Sequence, residues 1–210
     1  MLFNISMATD TIIIENLDSQ DTKYKPSLLD EMNNDYDNWV ALVIRKEFSS
    51  KLNKELIEKL VNRDKLKGVY ITINKPSNFI EKELKKFKIN SDNIYFVDLI
   101  SGRSKETPCP NCSFINSPSN LTMLGITFTQ AAKMLQKEIA EQPIFIIVDS
   151  LNTFLVYNDE KSVKKFFHFL ISKSRELGSK CILFSADTAE MKSVNTLVAG
   201  FSDRTIRFGD

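Results

Sequence analysis

The chain contains an apolar run over residues 143–150 that ends abruptly in a carboxylate and a hydroxyl, Asp149 and Ser150. A strand that is buried on both faces of a parallel sheet reads as a continuous apolar run. Ligands of open α/β sheets bind outside the carboxyl ends of such strands. The run therefore predicts a buried parallel strand and places Asp149 at the edge where α/β proteins usually carry their functional site.

Five further short runs are rich in Val, Ile, Phe or Tyr, so strands are predicted at 39–44, 68–73, 94–100, 144–148, 181–185 and 205–208. Stretches with helical spacing of apolar residues lie between most of them, and Ser77 is placed to cap one of these helices. The alternation predicts an α/β fold: a three-layer, mainly parallel twisted sheet of about six strands with helices on both faces.

The N-terminal part differs in composition from the rest of the chain. Apart from Thr11 and the three isoleucines after it, the first 36 residues are polar and turn-prone. We predict a partly ordered N-terminal extension over 1–36, whose isoleucines could dock as an edge strand. A single α/β domain is predicted over 37–210.

Composition limits the compartment and the partners. The chain of 210 residues has a formal net charge of +1, and its lysines and arginines are scattered in pairs, which argues against nucleic acid as a partner. No apolar segment approaches the ~20 residues that span a bilayer, and the stretch from Met1 to Asn4 lacks the basic start and long apolar region expected of a signal peptide. Three cysteines, an odd number, fit a reducing compartment. We therefore expect a cytoplasmic protein that does not contact membranes.

The longest stretch without periodicity, 101–118, contains Cys109 and Cys112 in a CxxC spacing. One such pair supplies two of the four ligands of a structural zinc site. Cys181 falls in a predicted strand and His168 in a predicted helix, so we expect no metal site, with Cys109 and Cys112 as weak candidates. We expect a mobile loop with both of its cysteines reduced, and leave a redox role open.

The chain lacks the phosphate loop that accompanies an acid such as Asp149 in ATPases. In P-loop ATPases that acid holds magnesium, but no GxxxxGK[ST] string occurs, and residues 45–51 contain no glycine to aim successive N–H groups at a phosphate. A helix N-terminus still offers unpaired N–H groups, whereas helix capping is the ordinary alternative. The candidate nucleotide-binding residues are Lys46, Ser49, Ser50, Lys51, Asp149 and Ser150.

Four strings in this order resemble the RecA superfamily and, within it, the KaiC-like and archaeal flagellar-ATPase-like proteins: GVYIT at 68–72, NIYFVD at 93–98, IIVDSL at 146–151 and FSDRTI at 201–206. The most similar branch is archaeal, is regarded as inactivated and is loosely linked to signal transduction. The resemblance covers most of 39–210 and implies a RecA-like P-loop NTPase fold with a degenerate phosphate loop. In that fold the strand through Cys181 lies between the strands that end at Ile44 and Asp149.

The resemblance also implies a second loss. Active KaiC-like proteins carry acidic residues after the strand at 68–73, where they activate water, but this chain reads Asn74-Lys75-Pro76. We therefore predict a non-catalytic RecA/KaiC-like domain without catalytic residues or cofactors, acting as an interaction or regulatory module with a protein partner or as a homo-oligomer. The alternatives are a weak ATPase that binds ATP and magnesium through Asp149 and a non-standard phosphate site, and a thiol redox or metal sensor through Cys109 and Cys112.

Three phenylalanines, Phe166, Phe167 and Phe169, cover more of their predicted helix than one core-facing stripe requires. Large exposed apolar side chains mark partner sites, so Phe169 could reach an interface. A broad helix face buried in a thick core is the alternative.

Overall fold

The computed structural model describes residues 10–14, 38–46, 50–102, 110–139 and 142–208. Within these ranges the strands are β1 Asp10–Ile14, β2 Trp39–Arg45, β3 Gly68–Thr72, β4 Ile94–Asp98, β5 Cys112–Phe114, β6 Phe145–Val148, β7 Lys180–Ala186 and β8 Arg204–Phe208. The α-helices are α1 Ser50–Glu58, α2 Ser77–Lys86, α3 Leu121–Glu138, α4 Asn152–Tyr157, α5 Glu160–Glu176 and α6 Lys192–Ala199. A π-helical turn, Lys59–Arg63, extends α1, and a 3₁₀ turn, Ser91–Asn93, precedes β4.

The strands form one sheet in the order β1-β8-β2-β7-β6-β3-β4-β5, and every neighbouring pair is parallel. One hydrophobic cluster joins the sheet to α3, α4, α5 and α6, and a second joins the opposite face to α1, its π-helical turn and α2. This confirms the predicted three-layer α/β fold. The predicted place of β7, between β2 and β6, is also confirmed.

Both core clusters draw on the same strands, because neighbouring residues of a strand point to opposite faces of the sheet. All seven residues of β2 and all four of β6 are buried, as expected for strands covered by helices on both sides. Since all strands are parallel, the carboxyl ends of β2, β3, β6 and β7 lie at one edge of the sheet. Asp149 follows β6 at that edge.

Two strands extend the predicted set. β1, which contains the N-terminal isoleucines, pairs with β8 as the outermost strand, whereas the boundary predicted at residues 36 and 37 stays a prediction. β5 pairs with β4 inside the stretch 101–118, for which no regular structure was predicted, so that expectation was wrong for Cys112–Phe114. A three-residue strand is too short to show periodicity. It forms because the free edge of β4 offers unpaired backbone groups.

The phenylalanines of α5 divide between core and surface. Phe166 and Phe167 are buried, and both rings contact Phe154 of α4. Phe169 remains 44% exposed beside α3. Burial in the core therefore explains Phe166 and Phe167 but not Phe169. Among the described residues, no helix combines the length and apolar character needed to span a membrane.

Candidate functional site

A cavity of about 370 Å³ opens at the carboxyl edge of the sheet, on the face that α1 and α2 cover. The sheet contributes Arg45 at the end of β2, Tyr70 in the middle of β3 and Asp149 directly after β6. The site that the sequence placed at the end of the 143–150 run is therefore an open space. It is not filled by side chains.

Strand alternation brings these three side chains to the same face. In β2, Arg45 follows the alternate residues Trp39, Ala41 and Val43, which pack into the cluster beneath α1 and α2. Tyr70 belongs to the same cluster, and Asp149 lies two residues after its member Ile147. The helices supply the remaining walls, with Asn53, Lys54 and Ile57 from α1 and Phe79, Ile80, Glu83 and Leu84 from α2.

Asp149 is buried and held by hydrogen bonds from its own chain. The hydroxyl of Thr72 donates to Oδ2 at 2.9 Å, the backbone N–H of Ile73 donates to Oδ1 at 3.1 Å, and the backbone N–H of Asn74 also donates. Burial raises the pKa of Asp149 from its usual 3.8 to about 6, although these hydrogen bonds and the charge of Arg45 act in the opposite direction. The carboxyl group is therefore fixed in position but only weakly acidic.

Arg45 is a buried cation at the same edge, with 3% of its surface exposed. Its Nη1 donates to Oδ1 of Asn53 at 2.9 Å, and its guanidinium lies 4.5 Å from the ring centroid of Phe184. Burial lowers the pKa of Arg45, while the charge of Asp149 raises it, and arginine stays protonated in proteins. A permanent positive charge thus stands near Asp149.

Tyr70 completes the link between the sheet and α1. Its hydroxyl hydrogen-bonds to the side chain of Asn53, and burial together with the charge of Asp149 raises the pKa of the phenol well above its usual value. Tyr70 is therefore a neutral hydroxyl at physiological pH. Asn53 joins Arg45 and Tyr70, so α1 is tied to β2 and β3.

The structure separates the predicted nucleotide-binding residues. Ser150 is fully buried, donates to Oδ1 of Asn152 at 2.8 Å and accepts from the N–H of Thr153 at 3.4 Å, so it is engaged in the first turn of α4. Lys46 is exposed after β2, and neither it nor Ser150 is among the described residues that line the cavity. Ser50 begins α1, while Ser49 and the side chains of Ser50 and Lys51 lie outside the described part.

Sequence reasoning did not select Arg45, Asn53 or Tyr70. A signal for Arg45 was present, because it follows the apolar run of β2 as Asp149 follows that of β6. The carboxyl ends of parallel strands lie at one edge of the sheet, so the opposite charges that follow these two buried runs lie at the same edge. Asn53 and Tyr70 carried no comparable signal, since each is an ordinary residue of an amphipathic helix or a strand.

Asp98, at the end of β4, is a second buried acid, and it is structural. It accepts bonds from the N–H groups of Ser77, Ile100 and Ser101 and from the hydroxyl of Ser101. Burial opposes its ionisation, but these hydrogen bonds outweigh burial and hold the pKa of Asp98 below its usual value. The prediction that Ser77 caps α2 was wrong, because its side chain makes no capping bond and Asp98 receives the first N–H instead.

The cysteines differ from expectation in one respect. Cys112 is disulfide-bonded, so the prediction of a reduced thiol at this position was wrong, while Cys109 lies outside the described residues. Cys181 is free and fully buried, and burial raises the pKa of its thiol to about 12. Within the described ranges, no group of three or more His, Cys, Asp or Glu side chains could hold a metal ion.

Comparison with known proteins assigns a family. The sequence model described as "Family of unknown function (DUF7504)" matches residues 62–206, more than half of the chain. The chain belongs to this family. The part of this chain that matches the family model runs from the π-helical turn to β8. It includes Tyr70 and Asp149 but begins after Arg45 and Asn53. No curated protein matches the chain.

Solved structures bear on the fold of this family member. A KaiC-like protein of the archaeon Pyrococcus horikoshii OT3 superposes with a TM-score of 0.58 at 13% identity, over 81% of this chain and 71% of that one. An uncharacterised Pyrococcus horikoshii protein, solved in complex with an unknown peptide, superposes with a TM-score of 0.62 at 13% identity, over 81% and 77%. The chain therefore has the RecA-like α/β fold of KaiC-like proteins.

Proposed function

We propose that the protein is a non-catalytic RecA/KaiC-like domain that acts as an interaction or regulatory module. One observation carries the proposal: the acid that would hold magnesium is occupied by protein donors and lies in the field of a buried arginine. Thr72, Ile73 and the backbone of Asn74 supply three hydrogen bonds to Asp149, whose pKa of about 6 leaves it partly protonated near neutral pH.

Magnesium binding requires the opposite arrangement. Mg²⁺ takes ionised carboxylates and phosphate oxygens at about 2.1 Å in a nearly ideal octahedron. At Asp149 the ion would have to share the two carboxylate oxygens with the donors of Thr72 and Ile73, and it would approach the positive charge of Arg45. Electrostatic positioning supplies most of the catalysis of phosphoryl transfer, so this edge is poorly suited to hydrolysis.

The position where KaiC-like ATPases carry a water-activating acid also supports the proposal. Here Asn74 accepts a 2.6 Å hydrogen bond from the hydroxyl of Thr153, and Lys75 follows it. An amide that accepts from a hydroxyl cannot remove a proton from water at neutral pH, and a lysine cation has no acceptor. A general base is therefore missing from this strand end.

A surface groove between α3 and α5 supports an interaction role. Ile126 and Phe169 line it and are 48% and 44% exposed, and Lys165 contributes positive charge. Exposed apolar side chains that share a groove are a common feature of partner sites. The Pyrococcus horikoshii neighbour solved with an unknown peptide offers a parallel for a RecA-like fold that binds a peptide.

We expect no ATP turnover above background when the full chain is incubated with magnesium and ATP. The rate should stay well below ~1 s⁻¹, the lower end of typical enzyme turnover, because both the phosphate loop and the general base are missing. Phosphate release measured on the wild type and on Asp149→Asn should give the same baseline. Magnesium-dependent hydrolysis that disappears in Asp149→Asn would overturn the proposal in favour of the weak ATPase.

A thiol redox role is the second candidate, and the disulfide bond of Cys112 favours it. Two electrons and two protons from a dithiol such as dithiothreitol would open this bond to two thiols. We expect iodoacetamide to label Cys112 only after such reduction, and to label the buried Cys181 only after unfolding. Mass mapping of labelled peptides measures both, and labelling of Cys112 in the native, unreduced protein would contradict the redox candidate.

A further inference from the structure

The charges that line the cavity do not balance. Three cations, Arg45, Lys54 and Lys75, face two carboxylates, Glu83 and Asp149. Lys54 pairs with Glu83 at 3.2 Å, and Arg45 interacts electrostatically with Asp149. Lys75 lies 5.3 Å from the ring centroid of Phe79 and forms no ion pair within the described part of the chain. The cavity therefore carries at least one excess positive charge at an exposed lysine.

Two amides of the lining are oriented in the same sense. The side-chain oxygen of Asn74 accepts from Thr153, and that of Asn152 accepts from Ser150. An amide whose oxygen is occupied by its own protein has its NH₂ donors left for other partners. Both amides line the cavity and add hydrogen-bond donors to it.

The remaining walls are apolar. Ile57, Phe79, Ile80 and Leu84 supply most of them from α1 and α2. Small-molecule sites are usually hydrophobic clefts of about 300–1,000 Å³ with a few convergent polar groups. The cavity of about 370 Å³ lies within that range and has this composition.

We propose that this cavity binds a small organic monoanion, a carboxylic acid with an aromatic or branched aliphatic body. Its carboxylate would lie against Lys75 and the amide donors of Asn74 and Asn152, and its body against Phe79 and Leu84. A carboxylate matches this lining because it only accepts hydrogen bonds and carries one negative charge. A nucleoside triphosphate carries several negative charges, for which the lining offers no matching excess of cations.

The proposed carboxylate would be the ligand of the module proposed above and rests on that proposal, but each of the two proposals can be overturned without the other. Hydrolysis of ATP would overturn the non-catalytic function and leave the binding of a carboxylate untouched. Absence of carboxylate binding would overturn this inference and leave the interaction module standing.

A set of naphthalene probes with one ring system and different charges tests the inference. Titration of the full chain, followed by ¹H–¹⁵N spectra, should give saturable shifts of cavity amides with 2-naphthoate. We expect 2-naphthalenemethanol to bind about 10-fold more weakly, which corresponds to about 1.4 kcal/mol. The cation 2-naphthylmethylammonium should not saturate. Equal binding of acid and alcohol, or preference for the cation, would overturn the inference. Tighter binding of 2-naphthyl phosphate than of 2-naphthoate would overturn the assignment to carboxylates.

Two exposed or half-buried lining residues permit variants that leave the core intact. Lys75→Met should weaken 2-naphthoate about 10-fold and leave the affinity for the alcohol unchanged, because it removes the charge from an exposed side chain. Glu83→Gln releases Lys54 and should tighten 2-naphthoate severalfold. The matched control is Lys192→Met, which removes the charge of an exposed lysine of α6 that does not line this cavity. It should change neither the affinity for 2-naphthoate nor that for the alcohol. Unchanged naphthoate affinity in Lys75→Met would overturn the inference.

Discussion

Gly68→Ala is expected to destabilise the folded protein by about 3 kcal/mol, because the added methyl group has no room. A Cβ built at Gly68 lies 2.3 Å from Cγ and Cδ2 of Phe145 and 2.5 Å from its Cδ1. Gly68 and Phe145 are register partners in β3 and β6, and the ring of Phe145 is fully buried. The ring cannot move aside without disturbing the cluster beneath α1 and α2. Urea denaturation of the wild type and the variant measures the loss.

A second substitution tests whether contact with Phe145 causes this loss of stability. In Gly68→Ala combined with Phe145→Leu, the smaller side chain should accommodate the methyl group, so the double variant should lose less than the sum of the two single losses. Gly200→Ala is the matched control, since a Cβ there meets its nearest atom, the backbone oxygen of Leu197, at 3.4 Å. If Gly68→Ala were within about 0.5 kcal/mol of the wild type, the range of an ordinary surface substitution, the close packing of β3 against β6 would be contradicted.

Stability should fall as the pH rises from about 4 to above 6, and Asp149→Asn should remove most of that fall. The folded pKa of Asp149, about 6, lies above the usual 3.8. The folded state therefore holds this proton more tightly than the unfolded state, and its contribution is complete below pH 3.8 and lost as the pH passes 6. Each pH unit between the two values corresponds to about 1.4 kcal/mol, so the change amounts to about 3 kcal/mol.

Asparagine in place of Asp149 can keep hydrogen bonds with Ile73 and Thr72. Its oxygen can accept from the N–H of Ile73, and its NH₂ can donate to the hydroxyl of Thr72, which then donates to the backbone oxygen of Lys75 at 2.5 Å. Asp149→Asn should therefore be more stable than the wild type at pH 7 to 8. The two proteins should converge near pH 4. Urea denaturation across this pH range measures the difference.

Asp98→Asn supplies a control of opposite sign. The pKa of Asp98 lies below its usual value, so its ionised form stabilises the fold above the unfolded pKa, and this contribution is lost as the pH falls through the folded pKa. Asp98→Asn should therefore destabilise the protein at pH 7, and the loss should shrink toward acid pH. A parallel response of Asp149→Asn and Asp98→Asn would contradict the different environments of the two acids.

The sequence alone determined the class of the fold, because its evidence is local. A strand covered on both faces must be apolar throughout, and the runs that became β2, β6 and β7 show this within a few residues. The helices carry their own period of apolar residues. The same local evidence placed Asp149 at the functional edge, since the end of a buried strand can be read from the first polar residue after the run.

Only the tertiary structure decided what surrounds that residue. Arg45 and Asp149 are more than a hundred positions apart, and β7 lies between their strands, so their interaction depends on strand order and on the shared face of the sheet. The cavity likewise depends on how α1 and α2 separate above the strand ends, and β5 depends on the free edge of β4. Periodicity reports which face of an element is buried. Which residues meet across the sheet is fixed by packing between elements distant in the chain.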